Sequence, residues 1–199
     1  MQNHLKKTAF VGVMSAMAFV LFLFPKFSLI PGFAWLEFDF SDVPALFASM
    51  MISPFAGLAV VFIKNVLHLA VTHTGMIGEL SNFLISGTFV FAVGAFYRFL
   101  FRKDEKRSSF IGSLALGSAI QLVTAVLVNY YIMIPMYSAF VNFSELGGAE
   151  KYILAGVIPF NVLKDLFVSV ATVVLLRLLF RNLHAYFHKL FTHQTQNHI

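Results

Sequence analysis

The sequence predicts an all-α integral membrane protein, a bundle of six transmembrane helices with both the N and the C terminus in the cytoplasm. Composition is the first reason: 59% of the 199 residues are hydrophobic and 12% are charged, whereas soluble domains carry about 25% charged residues. Long apolar runs are the second reason, and the placement of Lys and Arg between them is the third. We expect one membrane-embedded domain over residues 1–199, ending in a short cytoplasmic tail at about 182–199.

The first four spans are predicted from apolar runs bounded by helix-breaking residues. They cover residues 8–24, 43–52, 55–71 and 79–101. The run at 43–52 is short, because a helix needs about 20 residues to cross a bilayer. It must nevertheless cross, since Lys6, Lys7 and the basic connector at 102–109 face the cytoplasm together only if an even number of spans separates them.

Two further spans complete the predicted bundle, at about 110–134 and about 155–180. The last basic residues follow the sixth span and fall on the cytoplasmic side again. The net charge of +5 therefore reflects membrane topology. We expect the lipid bilayer as a partner and no nucleic acid.

The connector between the first two spans is predicted to be an extended loop at the surface. Three residues break the helix there: Pro25, Pro31 and Gly32. Phe38 and Phe40 then alternate with Asp39 and Ser41, a period typical of extended chain. Asp42 follows, and we interpret it as the cap of the next helix rather than as a ligand contact.

Polar interruptions of the apolar runs are predicted to meet in one binding site inside the bundle. Glu79 is the first candidate, because an ionisable residue at membrane depth is costly and usually faces an interior partner. Lys164 is its best partner in the sequence, although Lys64 is a rival. Lys164 has alternatives as well, namely Asp165 or a ligand. A purely structural ion pair between Glu79 and Lys164 therefore stays open.

Amides and aromatic rings complete the candidate site. Asn82 lies three residues after Glu79, while Asn129 and Asn161 lie on the fifth and sixth spans. Carboxamides, a carboxylate and an amine together supply hydrogen-bond donors and acceptors that suit the edge of a planar heteroaromatic ring. Aromatic side chains such as Phe38 could stack on its faces. These groups fall toward the non-basic side, which predicts an outward-facing pocket.

The histidines do not predict a metal site. His68 shares a helix face with Lys64, and these two stand apart from the other candidates. A lone histidine in such a helix is more often a hydrogen-bonded interior group. His184 and His188 share a face of the tail, but a structural zinc site usually needs four ligands, and the chain has no cysteine.

The first span carries a stripe of small residues. Gly12 and Ala16 are four apart, and small residues at this spacing let helices approach closely in lipid. Packing within this chain and docking onto a separate membrane protein are both open.

Five stretches combine polar and aromatic residues, in order along the chain: residues 38–46 (FDFSDVPAL), 64–68 (KNVLH), 78–83 (GELSNF), 129–131 (NYY) and 159–164 (PFNVLK). Together they resemble the substrate-binding S component of an energy-coupling factor (ECF) transporter of the riboflavin-specific type. The resemblance implies six helices and an outward-facing vitamin pocket closed by the loop after the first helix. It also implies assembly with a transmembrane coupling protein and two ATPase subunits.

The resemblance assigns roles to particular residues. Glu79, Asn129, Asn161 and Lys164 correspond to the residues that contact the flavin ring. The stripe at Gly12 and Ala16 is similar to the motif that docks the first helix on the coupling protein, with glycine in place of one of the usual alanines.

The implied function is high-affinity capture of riboflavin outside a prokaryotic cell and delivery inward by an ATP-driven partner. Riboflavin is then a transported ligand, and we expect no cofactor, no catalytic residue and no enzymatic activity. The alternative is an autonomous secondary transporter of a flavin or another small heteroaromatic vitamin, which would need a coupling-ion site and usually repeated halves. The residues do not separate riboflavin from its phosphate.

Overall fold

The computed structural model describes residues 2–24, 26–33, 35–72, 76–101, 107–138, 141–145 and 147–192. Within this part of the chain, α-helices dominate and one small sheet follows the first helix. The elements are α1 (Gln2–Leu23), β1 (Phe27–Ser28), β2 (Glu37–Phe38), α2 (Asp42–Met51), α3 (Pro54–His68), α4 (Ile77–Phe101), α5 (Arg107–Val128), α6 (Ile134–Tyr137), α7 (Gly148–Lys151) and α8 (Ile158–Thr192).

Four helical stretches are long and apolar enough to cross a membrane. They are His4–Leu23, Ile77–Phe99, Ser109–Tyr137 and Gly148–Leu178. The other two predicted spans correspond to the shorter apolar helices α2 and α3, of 10 and 15 residues. The predicted all-α class is thus confirmed, and each predicted span is helical. The tail predicted from about residue 182 continues α8 to Thr192, and residues 193–199 lie outside the described part.

Two π-helical segments interrupt the second half of the chain. Asn129–Met133 joins α5 to α6, and Tyr152–Val157 joins α7 to α8. The two segments contact each other. Segments of this kind are rare and often mark functional sites, and both lie at the end of the bundle where the sequence predicts the pocket.

α2 is the central helix of the bundle. Every residue from Asp42 to Met50 is buried, and the helix contacts α1, α3, α4 and α8. Close approach depends on glycine: a Cβ on Gly57 would lie 2.8 Å from the carbonyl oxygen of Ala45. Ser49 donates a hydrogen bond to the carbonyl of Val90 at 2.7 Å and so ties α2 to α4. α2 has only 10 residues, but it lies in the core because other helices surround it on all sides.

The connector after α1 is an antiparallel hairpin, with Phe27 opposite Phe38 and Ser28 opposite Glu37. We call β1, β2 and the segment between them the hairpin. Its tip packs on the second π-helical segment, because the ring of Phe33 lies 5.5 Å from that of Tyr152.

The prediction of a surface loop is wrong for residues 38–41. Phe38, Asp39 and Ser41 are all buried, at 1%, 1% and 0% exposure. The alternation is real, but both of its sides face the interior: Phe38 packs against the rings of Phe40 and Phe167, and Asp39 faces a lysine.

Candidate ligand-binding site

Four charged side chains meet in the interior where the hairpin joins α2. We call Asp39, Asp42, Lys64 and Lys164 the charge cluster. Lys64 Nζ donates to Asp42 Oδ1 at 2.6 Å. Lys164 Nζ lies 3.3 Å from Asp42 Oδ2 and 3.5 Å from Asp39 Oδ2. All four residues are buried, and their formal charges cancel. Buried charges are tolerated when they are paired in this way.

Local structure fixes the two carboxylates of the charge cluster. Asp39 Oδ1 accepts from the backbone N–H of Ser41 at 2.8 Å and from its hydroxyl, a turn typical of aspartate. Ser41 in turn accepts from Lys64. Ser86 on α4 donates to Asp42 Oδ2 at 2.8 Å. The charge cluster therefore links the hairpin to α2, α3, α4 and α8.

The interpretation of Asp42 as a helix cap is wrong. Ser41 holds the cap position of α2 and makes no side-chain cap hydrogen bond. Asp42 is the first helical residue, and its carboxylate binds two lysines instead. The carboxylate of Asp42 is still favourably placed in the first turn of α2, because negative charge near a helix N-terminus interacts favourably with the helix dipole.

Glu79 lies at the start of α4 and pairs with the residue that ends α3. Its Oε1 is 2.6 Å from His68 Nδ1, and both residues are buried. His68 Nε2 lies 3.3 Å from Lys26 Nζ, and Lys26 Nζ lies 3.1 Å from Glu37 Oε2. Glu79 is thus connected to the hairpin through two side chains.

The predicted partners of Glu79 need correction. In the described contacts, Lys164 pairs with Asp39 and Asp42, so the proposed structural ion pair between Glu79 and Lys164 is not formed. Lys64 does pair with a carboxylate inside the bundle, as predicted, but the partner is Asp42. Nor do Lys64 and His68 stand apart, because each contacts a group at the candidate site.

The two predicted asparagines of the second half are buried in hydrogen-bonded positions. Asn129 opens the first π-helical segment and accepts from the hydroxyl of Tyr152 at 3.1 Å. Asn161 accepts from Gln121 Nε2 at 3.1 Å. Since Asn161 and Lys164 are three residues apart on α8, they share a face of that helix.

Sequence reasoning missed two amides that belong to this group. Asn65 donates to Asn82 Oδ1 at 3.1 Å, and Gln121 contacts Asn161 as described. Asn65 Oδ1 and Gln121 Oε1 are buried oxygens with no hydrogen-bond partner among the described residues. Such atoms are rare in folded proteins and suit a donor supplied by a ligand or by water.

The ends of α4, α5 and α8 converge under the tip of the hairpin. Ile77, Val128, Tyr152 and Phe33 belong to one apolar cluster. Asn129 lies against this cluster because it accepts from the hydroxyl of Tyr152, and Glu79 follows Ile77 by two residues at the start of α4. Apolar walls with a few placed polar groups are typical of ligand pockets.

A groove of about 640 Å³ on the outside of the bundle is a different feature. It runs between α5 and α8 and is lined mainly by apolar side chains. In the described part of the chain, Glu79, Asn129, Asn161 and Lys164 are not among its lining residues. Asp165 is among them, whereas the ion pairs of Lys164 in the described part of the chain are with Asp39 and Asp42.

The fold and these contacts can now be compared with known proteins. Residues 6–176 match the family model described as ECF transporter, substrate-specific component. The match spans most of the chain, from α1 to α8. The chain belongs to this family.

Relatives and a solved structure agree with this assignment of the S component. This chain is 33% identical over 171 residues to the riboflavin transporter RibU of Streptococcus thermophilus, and the aligned part covers 83% of this chain and 79% of that protein. The riboflavin transporter FmnP of Bacillus subtilis is 34% identical over 173 residues, covering 83% and 87%. A structure of the S component of a bacterial ECF transporter superposes with a TM-score of 0.75 at 30% identity, covering 92% of this chain and 99% of that one.

The family assignment confirms two expectations from the sequence. The resemblance to ECF S components is correct, and the relatives are transport proteins rather than enzymes. Bacterial relatives and long apolar helices together make this S component a prokaryotic membrane protein.

Proposed function

We propose that this S component captures riboflavin outside the cell and releases it inward with an ATP-driven module of a transmembrane coupling protein and two ATPases. The observation that supports riboflavin most directly is the set of buried polar groups Glu79, Asn129, Asn161 and Lys164 beneath a hairpin that can act as a cover. Beside them lie Asn65 Oδ1 and Gln121 Oε1, which have no hydrogen-bond partner among the described residues. The relatives named riboflavin transporters support the same ligand.

The polar groups suit the edge of the flavin ring. Glu79 accepts from a ring N–H, whereas Lys164 donates to a ring carbonyl, and Asn129 and Asn161 can do either. Phe38 packs against Phe167, three residues after Lys164 on α8, and Asn82 lies one helical turn from Glu79. Riboflavin is bound as cargo and not as a cofactor.

The balance of charge favours riboflavin over its phosphate. Asp39 and Asp42 lie next to Lys164, so its positive charge is already compensated in the protein. A ring carbonyl can accept a hydrogen bond from Lys164 without adding charge. Binding a phosphate group needs an uncompensated cation, and the charge cluster offers none because its two ammonium groups are paired with two carboxylates.

Six crossings of the plasma membrane, with both termini in the cytoplasm, complete the proposal. The long helical stretches provide four crossings, and α2 and α3 provide two shorter ones. The order of crossings places the basic segments of the chain on one side, as the positive-inside rule requires. The hairpin then lies outside, where it can open to admit the vitamin.

Titration of riboflavin against the detergent-purified S component, followed by flavin fluorescence, tests the ligand. We expect tight quenching by the natural chain and, for Glu79→Gln, an affinity lower by about 10- to 100-fold, because a charged hydrogen bond contributes about 1–3 kcal/mol. Glu145→Gln is the matched control, since Glu145 is exposed and bonds only Asn142 among the described contacts. Flavin fluorescence that the natural chain leaves unchanged would remove the vitamin assignment.

The exposed stripe on α1 is the proposed docking surface for the coupling protein. Gly12 and Ala16 are both exposed, and a Cβ on Gly12 would meet nothing within 4 Å. Only 17% of the apolar window of α1 is buried, against 44% for α4. The other interpretation of this stripe was packing within the chain. No described residue of the chain packs against the position of a Cβ on Gly12.

We expect Gly12→Leu to prevent co-purification with the coupling protein and ATPases while riboflavin binding by the isolated S component is unchanged. A leucine there would hold the two helices apart, because small residues are what permits close contact in lipid. Val13→Leu is the control, since Val13 is exposed on the neighbouring side of α1. If Gly12→Leu assembles normally, docking involves another surface.

A further inference from the structure

We propose that His68 is a positioning residue for Glu79 and that Lys26, next to the hairpin, selects the form of the imidazole that does the positioning. This inference rests on the proposed function, because it concerns how the pocket holds a carboxylate for riboflavin. Neither His68 nor Lys26 is among the residues assigned to the ring above.

The first step is the geometry of the imidazole. Among the described residues, each ring nitrogen of His68 has one polar neighbour: Nδ1 lies 2.6 Å from Glu79 Oε1, and Nε2 lies 3.3 Å from Lys26 Nζ. The ring also packs against Phe22, with 4.4 Å between the ring centroids. His68 is therefore held from three directions.

The second step is the position of the proton. A lysine ammonium has three donors and no acceptor, so His68 Nε2 must be the acceptor in its contact with Lys26. The imidazole is then neutral and carries its proton on Nδ1, which donates to Glu79 Oε1. A doubly protonated ring would instead direct an N–H at the ammonium of Lys26, and like charges would repel.

The third step is the connection to the hairpin. Lys26 directly precedes β1, and its Nζ lies 3.1 Å from Oε2 of Glu37 on β2. Lys26 Nζ also lies over the ring of Phe22, 4.9 Å from its centroid. Four side chains thus form a line from Glu37 through Lys26 and His68 to Glu79, and this line is complete when the hairpin lies against α3.

The consequence is that the hairpin and the ligand-binding carboxylate are coupled. With the hairpin in place, Glu79 receives a fixed donor on one oxygen and is oriented toward the pocket. When the hairpin moves away, His68 loses the contact that selects its tautomer, and Oε1 of Glu79 is no longer assured of a donor from Nδ1. Riboflavin is therefore held most tightly in the covered state.

Two amide substitutions of His68 separate the two ring nitrogens. In His68→Asn the side-chain amide can reach the position of Nδ1, whereas in His68→Gln it reaches the position of Nε2. We expect His68→Asn to bind riboflavin within a few-fold of the natural chain and His68→Gln to bind about tenfold or more weakly, because only the asparagine can still donate to Glu79. Riboflavin titration followed by flavin fluorescence measures both.

A double-mutant cycle tests the connection to the hairpin. We expect Lys26→Met to increase the dissociation rate of riboflavin in the natural chain, but to change it little when Glu79→Gln is already present, because both act through one path. The side chain of Lys26 is 24% exposed, in contrast to the buried His68, so this variant is expected to fold even if the histidine variants do not.

The outcomes separate this inference from the proposed function. If the natural chain does not bind riboflavin, both fall together. If it binds, and His68→Asn is as weak as His68→Gln, or Lys26→Met has the same effect with and without Glu79→Gln, the positioning role is wrong while the riboflavin assignment stands.

Discussion

Replacing Lys64 with methionine is expected to lower the free energy of unfolding by about 3–5 kcal/mol, because removal of one partner leaves an uncompensated charge in the interior. Lys64 is fully buried and its Nζ lies 2.6 Å from Asp42 Oδ1. Without Lys64, the charge cluster holds two carboxylates and one ammonium. For a chain of this size the change corresponds to an apparent melting temperature lower by about 6–20 °C, measured by thermal unfolding in detergent.

Two further variants control this experiment. Lys26→Met removes the same kind of side chain from a pair that is 24% and 49% exposed, and such pairs contribute about 0–1 kcal/mol. Lys64→Met combined with Asp42→Asn restores the balance of charge, with Asp39 and Lys164 still paired, and should recover part of the stability. A melting temperature for Lys64→Met equal to that of Lys26→Met would contradict the role given to the charge cluster.

Lys164→Met is expected to lower stability and riboflavin affinity together. The stability loss is again about 3–5 kcal/mol, since Asp39 and Asp42 lose a buried cation. The affinity loss follows if Lys164 donates to the flavin ring, and removing a charged donor of this kind costs about 1–3 kcal/mol. Thermal unfolding and riboflavin titration of the same preparation measure the two effects.

A second substitution separates the two effects of Lys164. Asp39→Asn in the Lys164→Met background removes the unbalanced carboxylate while keeping its shape, so stability should partly return. Riboflavin affinity should not return, because the donor to the ring is still missing. Recovery of both properties would mean that Lys164 serves the fold alone and does not contact the ligand.

The helices were predictable because each leaves a strong local signal. Apolar runs long enough to cross a bilayer mark α1, α4, α5 and α8, and the sequence also predicted α2 and α3 within a few residues. α3 is the clearest case: Ser53 accepts from the backbone N–H of Ala56 at 3.0 Å, and Pro54 occupies the first turn, as the Ser-Pro pair indicates.

Burial of the charged and amide site residues was also predictable, since a polar group at membrane depth is costly unless it faces the interior of the bundle. Glu79, Asn129, Asn161 and Lys164 are all buried in the structure. Which of them contact a ligand stays a prediction. Partner choice could not be predicted, because it depends on how helices are placed around α2: Lys164 meets Asp39, which is 125 residues away in the chain.

Asp39 was misplaced for a physical reason of its own. Alternating aromatic and polar residues indicate a strand with one solvent-exposed face. The neighbouring sequence does not reveal that the polar side faces a buried lysine. Gln121 and Asn65 were not assigned to the site because the sequence does not show that they face Asn161 and Asn82 on other helices. Their buried oxygens became visible only in the folded chain.

The short helices at the centre of the bundle constrain how the chain can enter the membrane. At about 1.5 Å per residue, α2 spans about 15 Å and α3 about 22 Å, less than the hydrocarbon thickness of about 30 Å. Each also carries a charge, Asp42 on α2 and Lys64 on α3. Each helix alone is too short and too polar to partition from water into the bilayer. Joined by the two-residue turn at 52–53, they bring a neutral pair, so the proposed six-crossing topology requires α2 and α3 to insert as one unit.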